Sequence, residues 1–167
     1  MNWSSNEWFI AAVTLAGWLL TWALPRRFDR SSTVLFVLFG AYFGVVFDHA
    51  LAGEPIDFYD INDSRSFEFM DFVTYLMYGP ISYLFLYLYD WLRVPGRLAP
   101  FYVLVWTAFG MLLEGLGARF GVFEYKNGYD FDYSSLVYFA LQLFTLTLYY
   151  YRWSVVRRSE KEHEEPL

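Results

Sequence analysis

Five long apolar stretches dominate the sequence, and they predict a helical bundle that crosses a membrane. A bilayer core of about 30 Å requires roughly 20 mostly apolar residues per helix, and five stretches of this chain meet that length. Backbone amides in hydrocarbon must bond internally, so each stretch is expected to be a helix rather than an open strand. We therefore predict an all-α, polytopic membrane protein with a five-transmembrane-helix bundle. The predicted helices span about residues 8–25, 31–52, 72–91, 98–118 and 133–153.

The remaining segments predict one domain with two long loops and a short tail. Residues 1–158 form the predicted bundle, with loops at 53–71 and 119–132. The charged segment 159–167 is expected to be a disordered tail. Of the 167 residues, 57% are hydrophobic, which is too apolar for an ordinary soluble domain. The net charge of −6 argues against a nucleic-acid partner, and the absence of cysteine excludes disulfides and thiolate chemistry.

The distribution of charge predicts an orientation in a plasma membrane. Nine of the twelve Lys and Arg residues fall in Arg26–Arg30, Arg93–Arg97 and the segment from Arg152 onward, all on one side of the predicted bundle. Basic residues favour the cytoplasmic side. The amino terminus is therefore predicted outside and the carboxyl terminus in the cytoplasm. The outer side then carries 12 acidic and 3 basic residues, a net −9.

Two acidic residues inside predicted spans are the strongest functional indication in the sequence. Ionisable groups are costly in lipid and usually mark functional sites. At 1.5 Å per residue, Asp48 and Glu114 both lie roughly 25 Å along their parallel helices, toward the outer side. We predict a proton or cation site formed by Asp48, Glu114 and the neighbouring His49. The alternative is a structural network in which His49 and Arg119 neutralise the two carboxylates.

Small and polar residues mark the inward faces of the same helices. Glycines at three- and four-residue spacing let membrane helices approach closely, and they predict packing faces on the second and fourth helices. Pro80 predicts a kink in the third helix, which either lines a transport site or is filled by its neighbours. A polar stripe on the fifth helix either lines a cavity or forms interhelical hydrogen bonds. The packing residues are Gly40, Gly44, Gly110, Gly117 and Gly121, and the accessory polar residues are Arg119, Ser135, Tyr138 and Gln142.

The acidic outer loop offers a further candidate metal site. Its oxygen-bearing side chains approach the spacing of a twelve-residue calcium loop. Arg65 replaces the glycine that such a loop requires at its turn, so an EF-hand is not expected. A loose divalent-cation site and a solvated acidic cap remain open. The candidate ligands are Asp60, Asn62, Ser64, Glu68 and Asp71.

Several of these segments together resemble a known group of proteins. They are Phe47–His49, Phe69–Tyr89, Leu113–Gly115 and Gly121–Tyr125, within a region covering roughly Val34–Tyr151. In them the chain resembles uncharacterised small five-helix integral membrane proteins of spore-forming bacteria. The resemblance implies the same multi-pass membrane fold, and it implies no mechanism.

Three classes of function follow from these features. The first is a small binding or transport protein whose acidic outer vestibule attracts cations to Asp48 and Glu114. The second is a non-catalytic accessory subunit or scaffold that uses its glycine faces to bind itself or another membrane protein. The third is a lipid-binding protein or membrane-embedded enzyme. The sequence lacks the usual hydrolase, metalloprotease and nucleotide motifs, so an enzyme is not favoured. The predicted ligand is a bound cation or a lipid, and the bilayer is the predicted partner.

Overall fold

The computed structural model describes residues 3–61 and 69–164, and the side chains of 3–60 and 69–156. It is helical, which confirms the predicted all-α class. The helices are α1 (Ser5–Ala23), α2 (Arg30–Ala52), α3 (Phe69–Trp91), α4 (Ala99–Arg119) and α5 (Ser134–Glu164), and two short strands are β1 (Tyr59–Ile61) and β2 (Phe123–Tyr125).

Local capping residues set the beginnings of the first two helices. The backbone N–H of Ser4 donates to the Glu7 carboxylate at 2.7 Å before the first turn of α1. Asp29 accepts a hydrogen bond from the backbone N–H of Ser32 at 3.0 Å and so caps α2. Such side chains satisfy backbone donors that have no partner inside the helix. The start of α2 is therefore encoded locally by the Asp29–Ser32 segment.

Helix α3 is the centre of the bundle. Both α1 and α2 pack mainly on α3 rather than on each other, while α4 packs chiefly on α5. Phe85 and Leu86 of α3 are fully buried in a core cluster with Phe36 of α2 and Val103 of α4. The sequence neighbours α1 and α2 are consequently separated along part of their length.

Ion pairs join the helices at one end of the bundle, which we call the arginine end. The Arg27 Nε lies 2.6 Å from Asp90 Oδ2, linking the α1–α2 connection to the end of α3. Arg152 of α5 donates to Ser32 Oγ at 2.9 Å and lies 3.5 Å from Asp29. These contacts tie α2, α3 and α5 together where the predicted cytoplasmic arginines cluster.

The opposite end, the ribbon end, is covered by β1 and β2. The two strands pair antiparallel, with Tyr59 opposite Tyr125 and Asp60 opposite Glu124. Lys126 extends the pairing through its backbone N–H to Phe58 O at 2.7 Å and forms an ion pair with Asp60. The sequence predicted only loops at 53–71 and 119–132, so this ribbon is a new element.

The helix boundaries differ from the prediction mainly in α5. That helix continues to Glu164 rather than stopping near residue 153, so residues 159–164 are helical where a disordered tail was expected. Among the described residues, two helical segments are long and apolar enough to cross a membrane, Arg30–Ala52 and Gly96–Arg119. The other three helices are rich in Tyr, Trp and hydroxyl side chains, which lower mean hydropathy.

Candidate carboxylate site

Asp48 is buried near the end of α2 and accepts two phenolic hydrogen bonds. Its side chain is 7% exposed. Tyr59 of β1 donates to Oδ1 at 3.0 Å, and Tyr78 of α3 donates to Oδ2 at 2.9 Å. Both carboxylate oxygens are therefore held by neutral donors from two different elements.

Glu114 occupies the matching position on α4. It is 6% exposed. Its Oε1 accepts from Tyr125 of β2 at 2.8 Å and from Ser134, the first residue of α5, at 2.6 Å. Glu114 therefore bridges α4, the ribbon and α5 in the same way that Asp48 bridges α2, the ribbon and α3.

The ribbon joins the two carboxylates through a cross-strand pair of tyrosines. Tyr59 and Tyr125 face each other in the β1–β2 register. The Cβ atoms of such partners lie about 4.5–5.5 Å apart. The ring of Tyr129 contacts both, at 5.7 and 6.0 Å between centroids, and its hydroxyl hydrogen-bonds with Ser134 Oγ at 2.9 Å. One aromatic layer thus covers both acidic groups.

A shared cavity lies beneath this aromatic layer. It has a volume of about 70 Å³ and is lined by both Asp48 and Glu114. A water molecule needs roughly 10–15 Å³ by this measure, so there is room for several waters or an ion. Tyr138 of α5 lines the same cavity and interacts electrostatically with both carboxylates. The structure therefore brings together Asp48, Glu114 and one predicted accessory residue, Tyr138.

The basic residues proposed to neutralise the carboxylates lie elsewhere. His49 is exposed, and its Nδ1 contacts the carbonyl oxygen of Val45 in its own helix at 3.0 Å. Arg119 is exposed at the end of α4. None of the ion pairs formed by the described side chains involves Asp48 or Glu114. His49 and Arg119 therefore form no ion pair with either carboxylate in the described part of the chain, and hydroxyl groups are the hydrogen-bond donors instead.

The covering tyrosines are held in their neutral form by their surroundings. Burial raises the pKa of Tyr59 far above its ordinary value, and the nearby Asp48 carboxylate raises it further. Burial likewise raises the pKa of Tyr125, with a second contribution from its hydrogen bond to Glu114. A protonated phenol is a hydrogen-bond donor. Both tyrosines therefore remain donors to the carboxylates across the physiological pH range.

Sequence reasoning missed four of the hydrogen-bond donors to the carboxylates, which are Tyr59, Tyr78, Tyr125 and Ser134. Tyr59 and Tyr125 lie in segments predicted as loops. The accessory polar residues predicted on the fifth helix included Ser135 and not its neighbour Ser134. Ser135 instead donates from its hydroxyl to the carbonyl oxygen of Asp132 at 2.7 Å, within the start of α5. A signal was present, because residues 123–125 alternate aromatic and acidic side chains as a half-buried strand does.

Gln142 lies in a second cavity, which Glu114 also lines and Asp48 does not. This cavity of about 100 Å³ is mostly apolar and is lined by Gln142, Glu114 and Ser82. Thr107 of α4 donates to Gln142 Oε1 at 2.9 Å. The Ser82 Oγ is buried and has no hydrogen-bond partner among the described residues. The polar stripe on the fifth helix therefore has features of both predicted roles, because it lines a cavity and also forms an interhelical hydrogen bond.

The predicted packing glycines contact other parts of the same chain. A Cβ on Gly40 would lie 2.4 Å from Ser82 Cβ, and one on Gly44 would lie 2.1 Å from the Tyr78 ring. Gly110 faces the ring of Tyr138. Gly117 faces Phe123 of the ribbon. The space beside each of these glycines is filled by another residue of the same chain, so their spacing is explained without an external partner.

Gly121 does not belong to this packing set. It lies beyond the end of α4 with a φ of +81°, and nothing lies within 4 Å of a Cβ built there. Its predicted role in helix packing was wrong. Glycine adopts this left-handed conformation without steric cost, and the turn it makes leads directly into β2.

Pro80 is fully buried within an uninterrupted α3. Its ring faces Gly17 of α1, where an added Cβ would lie 3.0 Å from Pro80 Cβ. The preceding Gly79 lets α3 approach the backbone of Val37 in α2. Neighbouring helices therefore pack closely against both sides of the Gly79–Pro80 pair. This arrangement is the one that the packing alternative for Pro80 predicts.

The outer loop holds no metal cluster in the part that the structure describes. Asp60 pairs with Lys126, and Asp71 lies in the first turn of α3. Asn62, Ser64 and Glu68 fall outside the described residues. Within residues 3–61 and 69–164, no group of three or more His, Cys, Asp and Glu side chains is placed to hold a metal ion.

The fold and site define the chain as an all-helical protein with two buried acidic residues under an aromatic ribbon. No family model, curated protein or solved structure matches it. The resemblance to small five-helix membrane proteins of spore-forming bacteria therefore stays a prediction.

Proposed function

We propose that this chain is a multi-pass integral membrane protein that binds a proton or a monovalent cation between Asp48 and Glu114. In this proposal all five helices span the plasma membrane, with the ribbon end outside. Transport of the bound ion is the function that such a site would serve.

The helix surfaces support the membrane placement. Large apolar side chains are exposed along outward-facing stretches of the bundle. A soluble monomer rarely exposes contiguous apolar surface of this kind. Hydrocarbon would cover these side chains, while the arginine end would lie at the cytoplasmic surface. Examples distributed over the helices are Leu15, Leu19, Leu38, Leu104, Leu112 and Phe144.

The observation that carries the functional proposal is the pairing of two buried carboxylates around one cavity, with no ion pair from either one to a basic side chain among the described residues. An ionised carboxylate is stable in a buried site only when it is neutralised or well hydrogen-bonded. Here the donors are hydroxyl groups, which carry no compensating charge. A bound proton or cation would supply the missing positive charge.

The ligand set favours a proton or monovalent ion over a divalent metal. Calcium is usually bound by six to eight oxygen ligands, several of them carboxylates. Among the described residues this cavity offers two carboxylates, and each already accepts hydrogen bonds. Sodium, potassium and protons are therefore the ions to test.

Infrared difference spectroscopy of the purified protein tests the site. The protonated carboxyl band is followed while the pH is changed, first without added salt and then with sodium or potassium chloride. We expect a buried carboxyl band that disappears as a cation displaces the proton. Asp48→Asn and Glu114→Gln should each remove or shift that band.

Exposed acidic residues of the ribbon end provide the matched controls. Glu124→Gln and Asp132→Asn change the same functional groups on the surface, and they should leave the band unchanged. Two ionised carboxylates at every pH, with no effect of either cation, would overturn the proposed site. Proteoliposomes that contain a pH-sensitive dye then show whether the protein transports protons in addition to binding them.

The absence of cysteine makes the membrane orientation directly testable. Single cysteines at exposed positions, Asp132→Cys at the ribbon end and Ser31→Cys at the arginine end, can be labelled with an impermeant maleimide. We expect Asp132→Cys to react in intact cells and Ser31→Cys to react only after permeabilisation. The reverse pattern would overturn the orientation. Recovery of both variants in the soluble fraction would overturn the membrane placement.

A further inference from the structure

A wide groove separates α1 from α2 at the arginine end. It has a volume of about 620 Å³, far larger than either cavity near Glu114. It exists because α1 and α2 both pack on α3 rather than on each other. Tyr83 of α3 lines the groove between them, and Trp18, Trp22 and Val34 line the two sides. The groove is therefore an apolar, aromatic-walled slot along the helix axes.

Two arginines lie at the mouth of this groove. Arg26 and Arg30 both line it and are exposed. Neither takes part in an ion pair with another described residue, whereas the intervening Arg27 is paired with Asp90. No acidic side chain of the described residues lines the groove. The site thus combines an apolar slot with two guanidinium groups at one end that form no ion pair with a described side chain.

This combination matches the chemistry of an anionic phospholipid. Guanidinium groups bind phosphate oxygens with paired hydrogen bonds. An acyl chain would fill the apolar slot, and tryptophans commonly lie at the headgroup level. A water-soluble phosphate compound would leave the apolar slot empty. A protein helix could fill the slot, but it would bring no phosphate group to Arg26 and Arg30.

We infer that the groove between α1 and α2 is a binding site for an anionic phospholipid of the cytoplasmic leaflet, with its phosphate held by Arg26 and Arg30. The site is separate from the carboxylate pair, which lies at the other end of the bundle. It depends on the membrane placement and not on whether Asp48 and Glu114 bind an ion.

Native mass spectrometry of the detergent-purified protein tests this site. The protein is mixed with equal amounts of phosphatidylglycerol and phosphatidylcholine, and the retained lipid is identified by mass. We expect preferential retention of phosphatidylglycerol. Each arginine near an anionic lipid should contribute about a fivefold preference, so Arg26→Gln and Arg30→Gln should each lower the preference by about that factor.

Other arginines of the same end are the matched controls. Arg93→Gln and Arg97→Gln remove the same charge from exposed positions outside the groove, and they should keep the preference. Asp48→Asn should also keep it, which separates this site from the carboxylate site. Equal retention of both lipids, or equal effects of groove and control variants, would overturn the inference.

A second measurement locates the lipid in the groove. Phosphatidylglycerol with brominated acyl chains should quench tryptophan fluorescence, and the quenching should fall in a Trp18→Phe, Trp22→Phe variant. Unchanged quenching in that variant would place the lipid elsewhere. A dimer that retains no lipid in the mass spectrum would instead assign the groove to a second copy of the chain, which also overturns the inference.

Discussion

Tyr59 and Tyr125 stand opposite each other across the β1–β2 ribbon, and each donates a hydrogen bond to a different buried carboxylate. The two strands come from loops that are far apart in the sequence. Their pairing therefore places the donor to Asp48 and the donor to Glu114 opposite each other at the ribbon end. The ribbon is both the cover of the cavity and the element that links its two acidic sides.

We expect the two ribbon tyrosines to be coupled. Tyr59→Phe and Tyr125→Phe each remove a hydrogen bond to a carboxylate, which should lower the unfolding free energy by about 1.5–3 kcal/mol. The double variant should lose less unfolding free energy than the two single variants lose together, because both hydroxyls act on one ribbon and one cavity. Unfolding in detergent micelles measures this cycle. Tyr42→Phe, at a position 64% exposed, is the control and should change little. Strict additivity would contradict the coupling.

Gly44 is expected to tolerate no side chain. A Cβ there would lie 2.1 Å from the Tyr78 ring, whose hydroxyl holds Asp48. Gly44→Ala should therefore destabilise the protein by about 1–3 kcal/mol through overpacking, and it should weaken the Tyr78–Asp48 hydrogen bond. Gly96→Ala is the matched control, since nothing lies within 4 Å of a Cβ there. Thermal unfolding compares the two. Equal melting temperatures would show that α2 and α3 do not pack as described.

Replacing Ser82 should stabilise the protein. Its hydroxyl is buried without a partner among the described residues, and such an unsatisfied group costs about 1–3 kcal/mol. Ser82→Ala keeps the Cβ that faces Gly40 and removes only the oxygen. We expect a rise in unfolding free energy of about 1 kcal/mol. Ser31→Ala, at an exposed position, should give no such gain. A loss of stability would show that the hydroxyl has a partner such as water.

Alkaline pH should destabilise the ribbon through Tyr59. The pKa of Tyr59 is raised above its ordinary value of 10.0 by burial and by Asp48. The native state therefore keeps the phenolic proton after the unfolded chain begins to release it. Its contribution to stability is complete below pH 10 and declines as the pH rises toward the folded-state pKa.

Unfolding measured from pH 9 to pH 12 checks this prediction for Tyr59. The stability of the unmodified chain should fall over that range, and the fall should be less steep in Tyr59→Phe. Tyr42→Phe should follow the unmodified chain. Phenolate absorbance recorded in parallel separates ionisation of Tyr59 from that of exposed tyrosines. Identical slopes in all three proteins would contradict the burial of its hydroxyl.

The number and approximate positions of the five long helices follow from local properties of the sequence. Apolar length is a local property, so each helix could be placed from its own residues without knowledge of the tertiary structure. The helical period also placed Asp48 and Glu114 on inward faces at similar depth, and both are buried. Gly40 and Gly44 were likewise predicted on a close-packed face, because small residues four apart lie on one side of a helix.

The contacts of each of these residues depend on elements that are distant in the sequence. The pairing of β1 with β2 joins distant segments, and short strands carry too few residues for a clear local pattern. The donors to the carboxylates are Tyr59 and Tyr125, which follow from that pairing, Ser134, which follows from where α5 begins, and Tyr78, which follows from the packing of α3 on α2. The separation of α1 from α2 arises because α3 binds both more closely than they bind each other. Such long-range contacts depend on how helices pack, which the period of a single helix does not encode.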